Sequence, residues 1–152
     1  MNYLLDTNLV LIYLRANELT RKIEADLQLL SPNNNLIISV VTVGELKAIS
    51  KKNKWGKRRI QELVNTLSEF LIADIKTNKI LDKYAEIDAF SQGKLEGQKS
   101  NFLSRNMGKN DLWIAATASV QNITLLTTDK DFKHLDGNFL KLKVINLENY
   151  QK

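Results

Sequence analysis

Residues 38–41 read ISVV and residues 124–127 read TLLT, and these two runs decide the fold. Both are short and almost continuously apolar, without the alternation of a half-exposed strand. This pattern is typical of parallel strands that helices cover on both faces. Three further runs rich in β-branched residues or leucine also predict strands. The five predicted strands are residues 3–6, 36–40, 71–75, 124–127 and 143–147.

Segments of helical length and spacing lie between these strands. The predicted helices are residues 9–14, 18–30, 43–52, 57–70, 78–93 and 112–121. Strands that alternate with helices pair in parallel through right-handed crossovers. We therefore predict an α/β fold, a three-layer α/β/α sandwich with a mainly parallel five-stranded sheet. In such sheets ligands bind beyond the carboxyl ends of the strands.

The composition narrows the class of protein. With 152 residues and 43% hydrophobic residues, we expect one domain over residues 1–152. No apolar run has the length of a membrane span or of a secretory leader, so we expect a soluble, cytoplasmic protein without a membrane partner. The absence of cysteine excludes thiolate chemistry, and the net charge of +5 permits a polyanionic partner. His134 is the only histidine, which excludes a paired-histidine ribonuclease, and we expect it to be a turn or packing residue.

Four acids occupy the predicted junctions between strands and helices. Asp6 ends the first strand, Glu45 opens the helix after the second, Asp111 opens the last helix and Asp129 follows the fourth strand. In a doubly wound sheet such positions converge on one edge. Carboxylates brought together repel one another, and hard oxygen ligands recruit Mg²⁺ or Mn²⁺ to compensate. Such ions activate water for in-line attack on a phosphodiester.

Each acid also has a purely structural interpretation. Residues 42–45, TVGE, form a capping box, and Asn110 before Asp111 is a good N-cap. Asp6 fits an Asx turn, and Asp129 fits the cap of a short helical turn. The set is harder to explain in this way, since an uncompensated carboxylate at the end of a buried strand costs several kcal/mol.

Four blocks of the sequence stand out together: LLDTN at 4–8, SVVTVGEL at 39–46, NDLWIAATA at 110–118 and LLTTDKDF at 125–132. In order and spacing they resemble the PIN-domain nucleases, and most closely the VapC-type toxins. The resemblance spans almost the whole chain.

The resemblance implies a metal-dependent endoribonuclease acting on structured RNA. It implies that Asp6, Glu45, Asp111 and Asp129 bind the metal, with Mg²⁺ or Mn²⁺ as cofactor, and that Thr127 and Asp131 border the site. We expect the Asn8 amide to orient Asp6 as an outer partner, or to cap the next helix. The resemblance further implies a toxin of a toxin–antitoxin pair, a cognate antitoxin that binds it, and a homodimer.

Basic residues offer weaker candidates for RNA contact. A cluster between the third and fourth predicted helices surrounds one tryptophan, and two more cations precede the last predicted helix. The candidates are Lys52, Lys54, Trp55, Arg58, Arg105 and Lys109. Such a set can track a phosphate backbone and stack a base. A solvated helix pair with Trp55 as its anchor is the plainer interpretation.

Two other functions remain open at this stage. Asp6 would be the nucleophile of a phosphatase or phosphotransferase, but that motif has a second acid two residues on, where this chain has Asn8. A catalytically silent PIN-like domain would act only through binding, and retention of all four acids argues against it. Within the family, DNA cleavage is a further alternative, which the small size disfavours.

Overall fold

The computed structural model describes residues 1–98 and 101–151, and a five-stranded sheet forms its middle layer. All neighbouring strands pair in parallel, in the order β3-β2-β1-β4-β5. The strands are β1 Asn2–Leu5, β2 Asn35–Ser39, β3 Leu71–Ala73, β4 Thr124–Thr127 and β5 Leu142–Val144. The predicted α/β/α sandwich with a parallel sheet is confirmed.

Helices cover both faces of the sheet. The α-helices are α1 Thr7–Arg15, α2 Glu18–Leu27, α3 Val40–Lys52, α4 Lys57–Ser68, α5 Asn78–Ser91 and α6 Lys109–Gln121. Two short 3-10 helices, Lys130–Leu135 and Leu147–Tyr150, complete the order. In the part of the chain that the structure describes, no helix combines the length and apolarity needed to cross a bilayer.

The core has two halves, one on each face of the sheet, because successive strand residues point to opposite faces. Leu4 and Leu125 are register partners and pack beneath α5 and α6. Leu5 and Leu126 are the next pair, and they pack against the residues of α1, α3 and α4 on the other face. All four leucines are fully buried. The continuous apolar runs in the sequence are therefore explained by a sheet covered on both sides.

Chain connections leave β1 in opposite directions across the sheet. The path from β1 runs through β2 to the edge strand β3, and the later strands β4 and β5 extend the other side. The boundary between β1 and β4 is thus the point where the strand order reverses, and crevices for ligands form there, beyond the carboxyl ends of the strands. Asp6 directly follows β1, and residues 128–131 directly follow β4.

Several helices begin earlier than predicted, which corrects two structural interpretations. Helix α3 starts at Val40, capped by the Ser39 hydroxyl, so residues 42–45 lie inside the helix and the capping box is wrong. Helix α6 starts at Lys109 with Gly108 as its cap, so Asn110 is not an N-cap. Strands β3 and β5 are shorter than predicted, and the second 3-10 helix occupies the end of the predicted fifth strand.

Candidate active site

Asp6 lies at the carboxyl end of the central strand, and its environment fixes both carboxylate oxygens. Its backbone N–H continues the ladder to the Leu126 carbonyl at 2.9 Å. Oδ1 caps helix α1 by accepting from the Thr7 N–H at 2.7 Å, and Oδ2 accepts from the Thr127 hydroxyl at 2.8 Å. The residue is only 4% exposed. Asp6 is therefore both the structural cap of α1 and a carboxylate held rigidly at the crevice.

Glu45 faces Asp6 across the first turn of α1, with Thr7 between them. The Thr7 hydroxyl donates to Glu45 Oε1 at 2.9 Å and lies 3.0 Å from the Thr42 hydroxyl. Because Thr7 has a single hydroxyl hydrogen, which Glu45 accepts, Thr42 is the donor of the other bond. Thr7 and Thr42 are both buried. Glu45 lies in the second turn of α3 and does not open that helix.

Asp129 is tied to the same centre through the end of β4. Its backbone N–H donates to the Thr127 hydroxyl oxygen at 2.9 Å, and that hydroxyl in turn donates to Asp6. Oδ1 of Asp129 accepts from the Asp131 N–H at 2.8 Å and caps the 3-10 helix, as its structural interpretation predicted. Thr127 thus connects Asp6 and Asp129, which are remote in sequence.

Asp111 approaches the other three acids from the first turn of α6. It lines a cavity together with Glu45, Lys109 and Gly108. Gly108 caps the helix without a side-chain hydrogen bond, and a carboxylate in the first turn is favourable to the exposed N–H groups there. The first turn of α6 therefore carries Asp111 toward the crevice.

The electrostatics show that the acids share one environment. Burial, followed by the negative charges of Asp6, Asp129, Glu45 and Asp131, raises the pKa of Asp111 from 3.8 to about 6. Burial also raises the pKa of Asp6, although the hydrogen bonds from Thr127 and Thr7 oppose the rise; the charges of Asp129 and Glu45 add to it. Among the described residues, no lysine or arginine forms an ion pair with any of the four acids.

The donor set fits a hard divalent cation in its chemistry. The four acids offer only oxygen ligands, and a bound cation would reduce the electrostatic repulsion between their carboxylates. Within residues 1–98 and 101–151, no three acidic or histidine side chains already surround a single point where an ion would lie. The carboxylates would therefore have to turn toward an ion as it binds, with Asp6 as the fixed member.

The outer partners differ from the expected ones. Asn8 is exposed, and the hydrogen bonds to Asp6 come from Thr7 and Thr127. Sequence reasoning gave Thr127 a place beside the site but missed Thr7 and Thr42. Each is a buried threonine near the start of a helix that directly follows a strand, and these two strands are neighbours in the sheet. The two threonines could be recognised from the sequence only if the strand order were already known.

The basic candidates fall into two groups. Lys52 shares a cavity with Glu45, and Lys109 shares another with Glu45 and Asp111, so both lie beside the acids. Lys54 and Trp55 line a separate groove between α3 and α4, where the Arg59 guanidinium lies 4.1 Å from the Trp55 ring centroid. The ring packs against the core, as expected of an anchor. Two further candidates pair with acids: Arg58 with Glu62 and Arg105 with Asp131.

His134 is a packing residue, as expected. It is buried, its Nε2 lies 2.7 Å from the Ser91 hydroxyl, and its ring lies 5.0 Å from the Phe102 ring. Burial and the nearby Arg105 charge lower its pKa, so the neutral form is favoured.

The sequence profile of the PIN domain matches residues 3–138, which include all four acids. The chain belongs to the PIN domain family. Among curated PIN-domain relatives, Ribonuclease VapC2 of Rickettsia felis is 29% identical over 153 residues and is covered completely, as is this chain. Ribonuclease VapC1 of Haemophilus influenzae is 31% identical over 137 residues, covering 89% of this chain and 92% of the relative. The resemblance to VapC-type proteins is confirmed.

Solved structures agree with this assignment. The crystal structure of VapBC2 from Rickettsia felis, bound to a DNA fragment from the promoter, superposes with a TM-score of 0.76 at 28% identity. It covers 95% of this chain and 98% of the matched chain. VapBC-1 from nontypeable Haemophilus influenzae gives a TM-score of 0.68 at 26% identity with the same coverage. This PIN domain therefore has the fold of VapC-type chains that were solved in VapBC complexes.

Proposed function

We propose that this PIN domain is a metal-dependent endoribonuclease that cleaves structured RNA. One observation carries the proposal: four carboxylates converge at the carboxyl edge of the sheet, where burial and the neighbouring negative charges raise the pKa of Asp111 to about 6, without a pairing cation among the described residues. Uncompensated carboxylates gathered in this way lower the stability of the fold, and groups with perturbed pKa values cluster at functional sites. The relatives named as ribonucleases support RNA as the substrate.

Each acid has a distinct part in the proposed mechanism. Asp6 cannot turn freely because both of its oxygens accept hydrogen bonds, so it would fix the position of the cation. Glu45, Asp111 and Asp129 would close around the cation from α3, α6 and the end of β4. Bound Mg²⁺ or Mn²⁺ would supply the charge that activates water and stabilises the phosphodiester during displacement.

Threonines and lysines support this arrangement. Thr7 and Thr127 donate to the carboxylates of Glu45 and Asp6 and so fix the orientation in which these carboxylates would bind metal. Lys52 and Lys109 lie at the cavities that open beside the acids, where they would attract the RNA backbone. Lys54, Trp55 and Arg58 would extend this contact along α3 and α4.

The activity is tested with purified protein and labelled total RNA. Discrete fragments are expected in Mg²⁺ or Mn²⁺ and not in EDTA, and the Asp6→Asn variant should give none. Asp82→Asn, which removes an exposed acid of α5, is the matched control and should cleave as the wild type does. Cleavage that persists in Asp6→Asn would reject the four-acid mechanism. Failure to cut any RNA in either metal would favour the catalytically silent alternative.

We further propose that the chain is the toxin of a toxin–antitoxin pair, acts in the cytoplasm as a homodimer, and is held inactive by an antitoxin. The basis is its similarity to VapC-type proteins and the VapBC complexes among its structural relatives. Expression of the chain alone should arrest growth, and co-expression with the product of the adjacent gene should relieve the arrest and yield a complex on purification. Light scattering of the free chain measures its oligomeric state. Growth unaffected by the wild-type chain would contradict the toxin assignment.

A further inference from the structure

A second feature lies beside the acids, on the far side of Asp111. A cavity of about 290 Å³ opens between the segment before α6 and the start of the first 3-10 helix. Its lining includes Asp111, Asp131, Arg105, Asn106 and Gly108. Because Asp111 belongs to both this cavity and the proposed catalytic centre, a group bound in the cavity would lie next to the scissile phosphodiester.

Arg105 differs from the other surface cations in how it is held. Its Nη1 donates to the Asp131 carbonyl at 3.2 Å and lies 3.8 Å from the Asp131 carboxylate, a loose pairing. Its Nε is buried and has no hydrogen-bond partner among the described residues. About a third of the side chain is exposed. The guanidinium is thus positioned by the protein while several of its five N–H donors remain unused.

The backbone that carries Arg105 is anchored to α5. The Arg105 N–H donates to the Ser91 carbonyl at 2.8 Å, and the Ser91 hydroxyl contacts Met107 Sδ at 3.3 Å and His134 Nε2 at 2.7 Å. Phe102 packs against Phe90 with ring centroids 5.0 Å apart. These contacts fix the segment on both sides of Arg105, so little further ordering is needed when the guanidinium binds a ligand.

From this geometry we infer that Arg105 and the cavity form a phosphate-binding subsite for the RNA strand, one that holds a phosphodiester next to the one that is cut. This inference rests on the proposed ribonuclease function and adds a positioning residue to it. A planar guanidinium with free donors matches two oxygens of a phosphate, whereas Lys109 nearby offers only a point charge. Asp111 and Asp131 also line the cavity and repel a phosphate, so the anion would be held by the Arg105 guanidinium and the strand would receive a defined register.

Binding without cleavage gives the first test. The affinity of the full chain for a single-stranded RNA oligonucleotide is measured in EDTA over a range of salt concentrations, for the wild type, Arg105→Gln and Arg21→Gln. Arg21 is an exposed cation of α2 that pairs with Glu18, and its substitution removes the same charge. Arg105→Gln should weaken binding roughly tenfold, the effect of one hydrogen bond to a charged group, and should lower the salt slope by about 0.7. Equal effects of the two substitutions, or no effect of Arg105→Gln, would overturn the inference.

Cleavage of a defined RNA then locates the phosphate. Each phosphate near the cut is replaced in turn by a neutral methylphosphonate, and kcat/KM is measured for the wild type and Arg105→Gln. At one position adjacent to the cut, the replacement should slow the wild type but leave the variant almost unchanged, since their common contact is already lost. Additive losses at every position would overturn the inference. If Arg105→Gln does not fold, Arg105→Lys replaces it and should bind more weakly with an unchanged salt slope.

The two proposals fail in different ways. A wild type that cuts no RNA contradicts the ribonuclease function, and the EDTA binding measurement still decides on Arg105. A wild type that cuts normally while Arg105→Gln binds, cuts and responds to every methylphosphonate as the wild type does leaves the ribonuclease intact and removes the subsite.

Discussion

Replacing Asp111 with Asn should stabilise the metal-free protein while abolishing cleavage. Asn has the same shape as Asp but carries no charge, so it removes the negative charge whose burial, and whose repulsion by the neighbouring acids, raise the pKa of Asp111 from 3.8 to about 6. This difference corresponds to about 3 kcal/mol of unfavourable free energy in the folded state above pH 6. Partial exposure and solvent screening reduce the expected gain to about 1 to 2 kcal/mol.

The pH dependence follows from the direction of the shift. A carboxyl group whose folded pKa lies above its unfolded pKa binds a proton more tightly in the folded state, so the wild type loses stability as pH rises from about 3.8 through about 6. Asp111→Asn should therefore exceed the wild type in stability above pH 6, and the difference should shrink toward zero near pH 4. In EDTA at pH 7.5 the unfolding temperature should rise by roughly 2 to 8 °C.

The assay is thermal unfolding of both proteins in EDTA at several pH values, together with RNA cleavage in Mg²⁺. Asp82→Asn removes an exposed acid and serves as the control for a general charge effect, with little change expected in either assay. A wild type as stable as Asp111→Asn at pH 7.5, or a gain that persists at pH 4, would refute the account of Asp111 as a buried carboxylate that its acidic neighbours repel. Full cleavage by Asp111→Asn would remove it from the catalytic set.

Three further predictions concern the metal, the outer hydrogen bonds and the core. Mg²⁺ or Mn²⁺ should raise the unfolding temperature of the wild type above pH 6 and progressively less toward pH 4, where protons compete for the carboxylates; a pH-independent rise would point to binding elsewhere. Thr7→Val should lower metal affinity and the rate of RNA cleavage by about 10- to 100-fold, because Glu45 loses its hydrogen-bond donor. The control variant Thr66→Val on α4 should change neither. Calorimetric titration measures the metal affinity, and the RNA assay measures cleavage. Phe132→Ala should cost about 3 to 5 kcal/mol in chemical denaturation because this side chain is fully buried, and a loss below about 1 kcal/mol would show that the site collapses without a cavity.

The sequence predicted the layers of the fold more securely than the points where strands give way to helices. Apolar runs such as TLLT identify strands because burial on both faces demands them, and the structure confirms these strands. The first residue of a helix is harder to predict from the sequence, because the residue that ends a strand can itself cap the following helix. Asp6 and Ser39 both do so, and α1 and α3 therefore begin at Thr7 and Val40, earlier than predicted.

The candidate site was predictable to the extent that it depends on strand ends. Asp6 and Asp129 follow strands whose parallel direction was inferable from their alternation with helices, and the pKa shifts of Asp6 and Asp111 show that their environments overlap. The threonine hydrogen bonds that connect the acids were not predictable in the same way. One of them comes from Thr7, whose hydroxyl reaches Glu45 only because α1 and α3 start side by side from adjacent strands.

The start of α1 at Thr7 also explains why Asn8 is not the partner of Asp6 in this structure. Once Asp6 itself caps α1, Thr7 and Asn8 occupy successive positions of one helical turn, about 100° apart around the axis. Thr7 then points toward α3 and is buried, whereas Asn8 points to the outside and is exposed. A shift of two residues in where the helix begins thus decides which side chain of the DTN motif holds the carboxylates in place.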